Sequence, residues 1–426
     1  MSDSVILKTE TLDNLIASTG KYELTIPDYQ RIYCWEEKQV FRLLEDIQHH
    51  ADKTYHMGSI ILHKRITNNK THYDIVDGQQ RLVTLSLLLS ELGCKTPFLN
   101  EKFESELARN YIAYNKWLIT NFIQRQKSFR NTESILNNLT FSVLILESAN
   151  LDLAYTFFTT ANGKGKPLSD FDLLKSHHLR YILIQKQAEH VAGRWDNLVL
   201  ESDNNDNSKA LGRTFDIYLF RLRKWMRKRS WDDNEKRKVK NEFEAAPIIP
   251  DIPPFGEQFH FYESIQGGAH FFSYAEHFIH RFKEFEQTKP YQLLNNHLQW
   301  EKHWWYRDCI EALLFAYYLK FGMLYLNDAC LFISRYVSQH RFENSRAYLH
   351  SIHEYVSDSE IVMMIDQATS PTFFLGELEG MIKKLPFNQD ELDGTRKRYN
   401  QYIKTINEEL IDSITITSNY YEWTGK

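Results

Sequence analysis

The sequence predicts an α+β protein: a small mixed α/β domain over residues 1–180, followed by a mainly α-helical domain over residues 181–426. Three observations predict it. Short β-branched runs alternate with amphipathic helical patterns in the first part, as in YDIVDGQQRLVTLSLLLSE from Tyr73 to Glu91. After Tyr181 those runs give way to long aromatic helical segments. Four of the 10 prolines fall between Pro247 and Pro254, which marks a long loop or a boundary between helical blocks.

Taken in order, Thr11 to Ser18 reads as a short helix ended by Gly20, and Tyr22 to Ile26 as a strand. Pro27 stops strand pairing, so Asp28 to Tyr33 is an extended loop of polar and aromatic groups. Glu36 and Glu37 open a helix whose apolar face is Val40, Leu43, Leu44 and Ile47. Met57 to Leu62 is a strand, Thr67 to Lys70 a polar turn, and Tyr73 to Val76 the next strand. A tight turn at Asp77-Gly78 leads into a helix from Gln79, with Leu82, Leu85, Leu88 and Leu89 on its buried face. Helical segments continue to about Asn137, and Leu139 to Leu146 is strongly β-like. Leu151 to Thr160 is helical and ends in the loop NGKGKPLSD, Asn162 to Asp170, before the helix FDLLKSHHL. In the second part His303 to Phe321 and Met323 to His340 read as aromatic helices, and Asp390 to Leu410 as a charged one.

Composition narrows the function classes. Hydrophobic residues at 42% and charged residues at 25% are ordinary for a soluble globular chain, and aromatics at 14% imply an aromatic core. The net charge of −5 argues against a protein coated in nucleic acid but leaves room for a local basic patch. Cys34, Cys94, Cys309 and Cys330 are far apart with no CxxC pair, which suggests neither a zinc site nor a disulfide framework. The start, MSDSVILKTETLDN, lacks the long apolar run of a signal peptide. The run ALLFAYYLKFGMLYL is interrupted by Lys320 and falls short of the ~20 residues that cross a bilayer. The expectation is a cytoplasmic protein with no membrane partner.

The junction from Asp77 to Arg81 concentrates the chemistry. Four polar side chains, Asp77, Gln79, Gln80 and Arg81, stand between two apolar segments. A helix start offers unpaired N–H groups and the positive end of a dipole, which suits phosphate. Gly78 lets the backbone turn sharply and approach a ligand. The glycines and lysines of Asn162–Asp170 can also meet an anion, although the spacing is not that of a Walker loop; a plain helix connection capped by Ser169 is the alternative.

Three stretches, IPDYQRIYCWEEKQVFRLLEDI, then YHMGSIIL with YDIVDGQQRLVTL, then FFTTANGKGKPLSDFDLLKS, together resemble one family. They are similar to the N-terminal domain of the GmrSD modification-dependent restriction systems, a domain found also in phosphorothioate-sensing SspE and in BrxU enzymes. The resemblance covers roughly the first 180 residues. It implies a ParB- and sulfiredoxin-like nucleotide-binding fold in which the DGQQR turn binds and hydrolyses an NTP, and a role in bacterial defence against phage or foreign modified DNA. Single-chain relatives that cut DNA carry a C-terminal HNH-type nuclease. Here His340 with Asn344, or His350 with His353, come nearest to such a set, without a strand–helix metal frame. His49-His50 and His177-His178 read as solvated helix histidines. The expectation is therefore an NTPase regulatory subunit whose nuclease partner is a separate polypeptide.

Residue roles follow from the resemblance and from phosphoryl-transfer chemistry, which is mostly positioning and charge stabilisation. Arg81 forks onto phosphate oxygens, and Arg31 is the second cationic arm. Asp77 either holds Mg²⁺ or orients the attacking water, and Gln79 or Gln80 positions that water. Tyr29 and Gln30 contact base, sugar or phosphate; Asn162, Lys164, Lys166 and Lys175 complete the pocket if the second loop folds over it. Trp35 is expected in the core. The run from Arg221 to Lys240 holds ten Lys or Arg residues with Trp225 and Trp231 interleaved. It reads either as a solvated face with acidic partners or as a DNA backbone contact with stacking indoles. Two alternatives to the NTPase stay open: a DNA-recognition or assembly module that holds nucleotide without hydrolysing it, and a stand-alone nuclease. Homo-oligomerisation, the NTP used and the DNA modification sensed are open as well.

Overall fold

A computed structural model describes residues 4–16, 22–50, 53–67, 69–94, 96, 105–125, 132–147, 151–161, 168–203, 210–244, 260–386 and 392–411. The chain forms two units, one built on residues 1–200 with 246–253 and 266–272, the other on 201–245, 254–265 and 273–426.

The first unit is a five-stranded mixed sheet. Its strands are β1 (Ser4–Thr11), β2 (Leu24–Thr25), β3 (Tyr55–Thr67), β4 (Lys70–Asp77) and β5 (Leu139–Glu147), in the order β1-β5-β3-β4-β2. β3 pairs antiparallel with β4 through the turn at Asn69 and parallel with β5, while β1 closes one edge antiparallel to β5. Only Leu24 and Thr25 of the expected Tyr22–Ile26 strand pair, parallel to Tyr73 and Asp74. The first strand, β1, was not legible beside the helix α1 (Leu12–Ile16) that follows it.

Side-chain alternation divides the sheet between two cores. Ile60, Leu62, Ile75, Val143 and Ile145 face one layer with α1, α2 (Glu37–His49), α3 (Gln79–Glu91), α4 (Glu106–Arg125) and α5 (Thr132–Asn138). Ile61, Val76 and Leu146 face the other, with α6 (Leu151–Ala161) and α7 (Asp170–Leu179). Burial on both faces is why the strands read as continuous apolar runs. The unit extends past residue 180 because α8 (Gln185–Asp203) belongs to it. Trp195 packs its ring on Phe271 and Phe272, and Asp196 pairs with Lys175. Trp35 lies in the first core, as expected.

The second unit is helical. Ala210–Gly212, the π-helical Arg213–Leu219 and Phe220–Met226 run on from one another. Long helices follow, among them His303–Phe321, which matches the expected span, and Leu326–Glu343, which starts later than the expected Met323. Both carry buried residues all round, as central helices do. Buried Glu311 on the first of them accepts from Arg213, from the Tyr218 hydroxyl at 2.7 Å and from Asn295 at 2.7 Å. Among the described residues no helix is long and apolar enough to cross a membrane.

Candidate functional site

β4 ends at Asp77 and α3 begins at Gln79, so the whole reversal falls on Gly78. Gly78 has φ +99°, and a Cβ there would meet Ile60 Cγ1 at 3.1 Å. An L side chain is therefore opposed twice, by backbone conformation and by space. The N-cap of α3 is Gly78, which has no side chain to bond the first-turn N–H groups, and the Asp77 carboxylate accepts from the Gly78 amide. Gln79 is 4% exposed, and among the described residues its Oε1 has no hydrogen-bond partner. A buried amide oxygen without a donor is costly unless a ligand or water supplies one.

The loop before α2 stands beside this turn and is tied down along its length. Gln30 Nε2 donates to the carbonyls of Ile75 at 2.7 Å and Val76 at 2.6 Å, at the end of β4. Gln80 Nε2 donates to the Ile32 carbonyl at 3.1 Å, and Gln80 Oε1 accepts from the Cys34 amide at 2.8 Å. The Tyr33 hydroxyl meets Thr84 Oγ1 at 2.8 Å and accepts from Asn115 at 3.0 Å. Lys175, 3% exposed, donates to the Gln30 carbonyl at 3.1 Å and to Asp196 at 2.9 Å. Arg31 thus sits between two residues locked to β4 and α3.

Electrostatics join the loop to the turn. Burial pushes the Asp77 carboxyl up, and the charge of Arg81, the Gly78 amide and the charge of Arg31 pull it back in part. Arg81 lies 3.6 Å from Asp77. Its guanidinium donates through Nη1 to the Met57 carbonyl at 2.8 Å and through Nη2 to the Ser59 carbonyl at 2.5 Å. Burial lowers the Arg81 pKa, with Asp77 opposing.

The structure brings Arg31, Asp77, Gly78, Gln79 and Arg81 together and assigns supporting contacts to Gln30, Gln80 and Lys175. Both polar ends of Gln80 are spent on backbone, so of the two glutamines Gln79 is the one with an oxygen to offer. Among the described residues the buried Tyr29 hydroxyl has no partner, and the ring meets Phe158 edge-on at 6.0 Å. Burial raises its pKa further. Asn162, Lys164 and Lys166 lie outside the described residues, as does most of their loop. The capping box at Ser169 is present, with its Oγ accepting from the Asp172 amide at 3.1 Å. Gly58 also borders the site, against the Arg81 guanidinium, and nothing local in the sequence marks it.

One expectation needs correction. His177 and His178 are not solvated: both are buried on α7, and His178 stacks on Phe271 with centroids 3.8 Å apart. The aromatic pattern of α7 extends round a helix covered on several sides, which a charged-looking Lys-Ser-His-His run conceals. In the basic run, Trp225 is buried and Trp231 half-buried, and both rings pack against His353. Its charges are largely matched, because Glu242 alone meets Arg223 at 2.8 Å, Lys224 at 3.4 Å and Arg227. Lys228 pairs with Glu360, Lys238 with Asp216 and Lys240 with Glu244. Of the nuclease candidates, His340 is buried and meets the Tyr306 hydroxyl at 2.9 Å, and Asn344 donates to the His340 carbonyl. His350 pairs with Glu354, and His353 lies between Cys309 and Asp233. Among the described residues no group of three or more His, Cys, Asp or Glu is placed to hold a metal ion.

Residues 12–179 match the family described as the GmrSD restriction endonuclease, N-terminal domain. Residues 250–394 match a family of unknown function, DUF7834. No curated protein matches the chain.

Proposed function

Residues 12–179 belong to the GmrSD restriction endonuclease N-terminal domain family, and from that premise we propose that this chain is an NTP-binding and NTP-hydrolysing regulatory subunit. Membership carries the coarser statement, that the chain is a component of a restriction or defence system. The finer reading adds nucleotide turnover here and DNA cleavage on a separate nuclease polypeptide.

One observation carries the nucleotide reading: the start of α3, with a glycine as its N-cap, beside the orphan oxygen of Gln79. Phosphate oxygens are the acceptors that such N–H groups and such a dipole end favour. Arg31, whose charge reaches Asp77, supplies a guanidinium to the same place. The donor set fits a magnesium nucleotide, since it combines one half-buried carboxylate, one arginine and a row of backbone amides. Asp77 would hold Mg²⁺, which when bound neutralises phosphate charge. Gln79 Oε1 accepts a hydrogen bond from the attacking water and aligns it, a positioning role that needs no basic group. Gln30, Gln80 and Lys175 keep the Arg31 loop in place, so little reorganisation is needed when ligand arrives.

Phosphate release from each of the four ribonucleoside triphosphates with Mg²⁺ tests the proposal on the full-length chain. Release that is lost in Arg31→Ala and Asp77→Ala supports it; release unchanged in both variants, or no binding of any triphosphate, overturns it. A plasmid incubated with this chain alone is expected to stay intact, and cleavage would move the nuclease onto this polypeptide.

A further inference from the structure

The block YHMGSIIL accompanies the DGQQR turn in the sequence but supplies no side chain to the proposed chemistry. Its place in the sheet gives it a function. The pairing of β3 with β5 slips between His56 and Ser59, so that Met57 and Gly58 form a bulge. Gly58 has φ +100°, and a Cβ there would stand 2.8 Å from Arg81 Nη1. The Arg81 guanidinium lies against that bare backbone and donates to the carbonyls on either side, Met57 and Ser59. It sits one turn into α3, with Asp77 at 3.6 Å. A guanidinium with a terminal nitrogen on each of two carbonyls fixes a plane, as an ammonium cannot.

We propose that Arg81 and Gly58 are one positioning device: the arginine seats in a socket that only glycine leaves open, and this sets where the first turn of α3 stands. In this assignment Arg81 is a strut and not a phosphate ligand. The phosphate-facing cation is Arg31. The proposal rests on the nucleotide reading above and concerns how that site is held.

The test uses the full-length chain with Gly58→Ala, Arg81→Lys, Arg81→Ala and the double variant Gly58→Ala/Arg81→Ala, and with Arg31→Ala as comparator. Turnover is measured with whichever of ATP, GTP, CTP and UTP the unmodified chain hydrolyses fastest. Gly58→Ala and Arg81→Ala are each expected to lower kcat about tenfold or more with KM within about threefold, and Arg81→Lys is expected not to rescue. The double variant should be no slower than the worse single, because both changes break one device. Arg31→Ala should instead raise KM, so that release is lost at triphosphate concentrations near the parent's KM. Melting supplies a second reading: the double variant should melt no lower than Gly58→Ala, since shortening Arg81 removes the clash. A KM raised about tenfold by Arg81→Ala, or effects on kcat that multiply, would make Arg81 a ligand and overturn the proposal. If the unmodified chain hydrolyses no triphosphate, the nucleotide reading fails by itself. The melting comparison then decides the strut alone, and additive losses sink it.

Discussion

Gln79 and Gln80 are adjacent and chemically identical, yet substituting each by methionine should have opposite effects on stability. Gln80 is 7% exposed and makes two hydrogen bonds to the loop before α2, at 3.1 Å to Ile32 and 2.8 Å from Cys34. Gln80→Met keeps the volume and leaves that carbonyl and that amide without partners. At about 1–3 kcal/mol for each orphaned group, and with both half-buried, the loss is roughly 2–4 kcal/mol. For a unit of this size that lowers its melting temperature by roughly 5–15 °C. Gln79→Met removes a buried oxygen that has no partner, so it should leave stability within about 1 kcal/mol of the parent or raise it. Chemical denaturation measures both, and amide exchange at Cys34 reports the Gln80 contact directly. A Gln80→Met chain as stable as the parent, with Cys34 still protected, would refute the brace. Turnover separates the pair again. Gln79→Met should lose hydrolysis while folded, and Gln80→Met should lose it in proportion to loop opening.

Further outcomes are expected. Gly78→Ala should destabilise by about 1–2 kcal/mol from its left-handed backbone alone, more if Ile60 cannot give way, as seen by calorimetry. Asp77→Asn should abolish hydrolysis without lowering stability at neutral pH. Its carboxyl is raised in the folded state, so the folded form favours the proton and stability falls as pH rises through that raised value. Denaturation curves should show the Asn variant gaining on the parent toward neutral pH. In the second unit, burial lowers the His353 pKa to about 4, against the pull of Asp233. The unfolded imidazole takes its proton near pH 6.5, so stability should fall as pH drops from 6.5 toward 4, by roughly 3 kcal/mol. His353→Gln should flatten that slope. Burial raises the Glu242 carboxyl, but the Arg223 hydrogen bond and the charges of Arg223, Arg227 and Lys224 outweigh it and hold it low. Its stabilisation is present at neutral pH and lost in acid. Glu242→Gln should cost about 3–5 kcal/mol by unfolding, because buried cations lose their counter-charge.

The elements that were legible share one property: their signal is local. Helix α2 announced itself by Glu36 and Glu37 followed by Val40, Leu43, Leu44 and Ile47, and those four residues are its buried face. The turn at Gly78 was marked by an Asp-Gly step between two apolar runs, and the structure puts it between Asp77 and Gln79. β1 was missed because its apolar run, Val5-Ile6-Leu7, is short and does not alternate, so it needs a partner strand to make it a strand, and β5 lies far along the chain.

By itself, then, the amino-acid order determined the two kinds of region, the strand–turn–helix at Asp77–Arg81 and the family that it marks, because periodicity, turn chemistry and short motifs act over a few residues. Tertiary structure alone decided what each polar group does. It gave Gln80 to the backbone 46 and 48 residues away and left Gln79 with an unpartnered oxygen. It set Arg81 on the bulge at Gly58, buried His177 and His178, and chose Glu242 as the acidic partner of three cations in the basic run. A side chain's role depends on which donors and acceptors remain unmatched after folding, and those partners are chosen by the path of the chain through space.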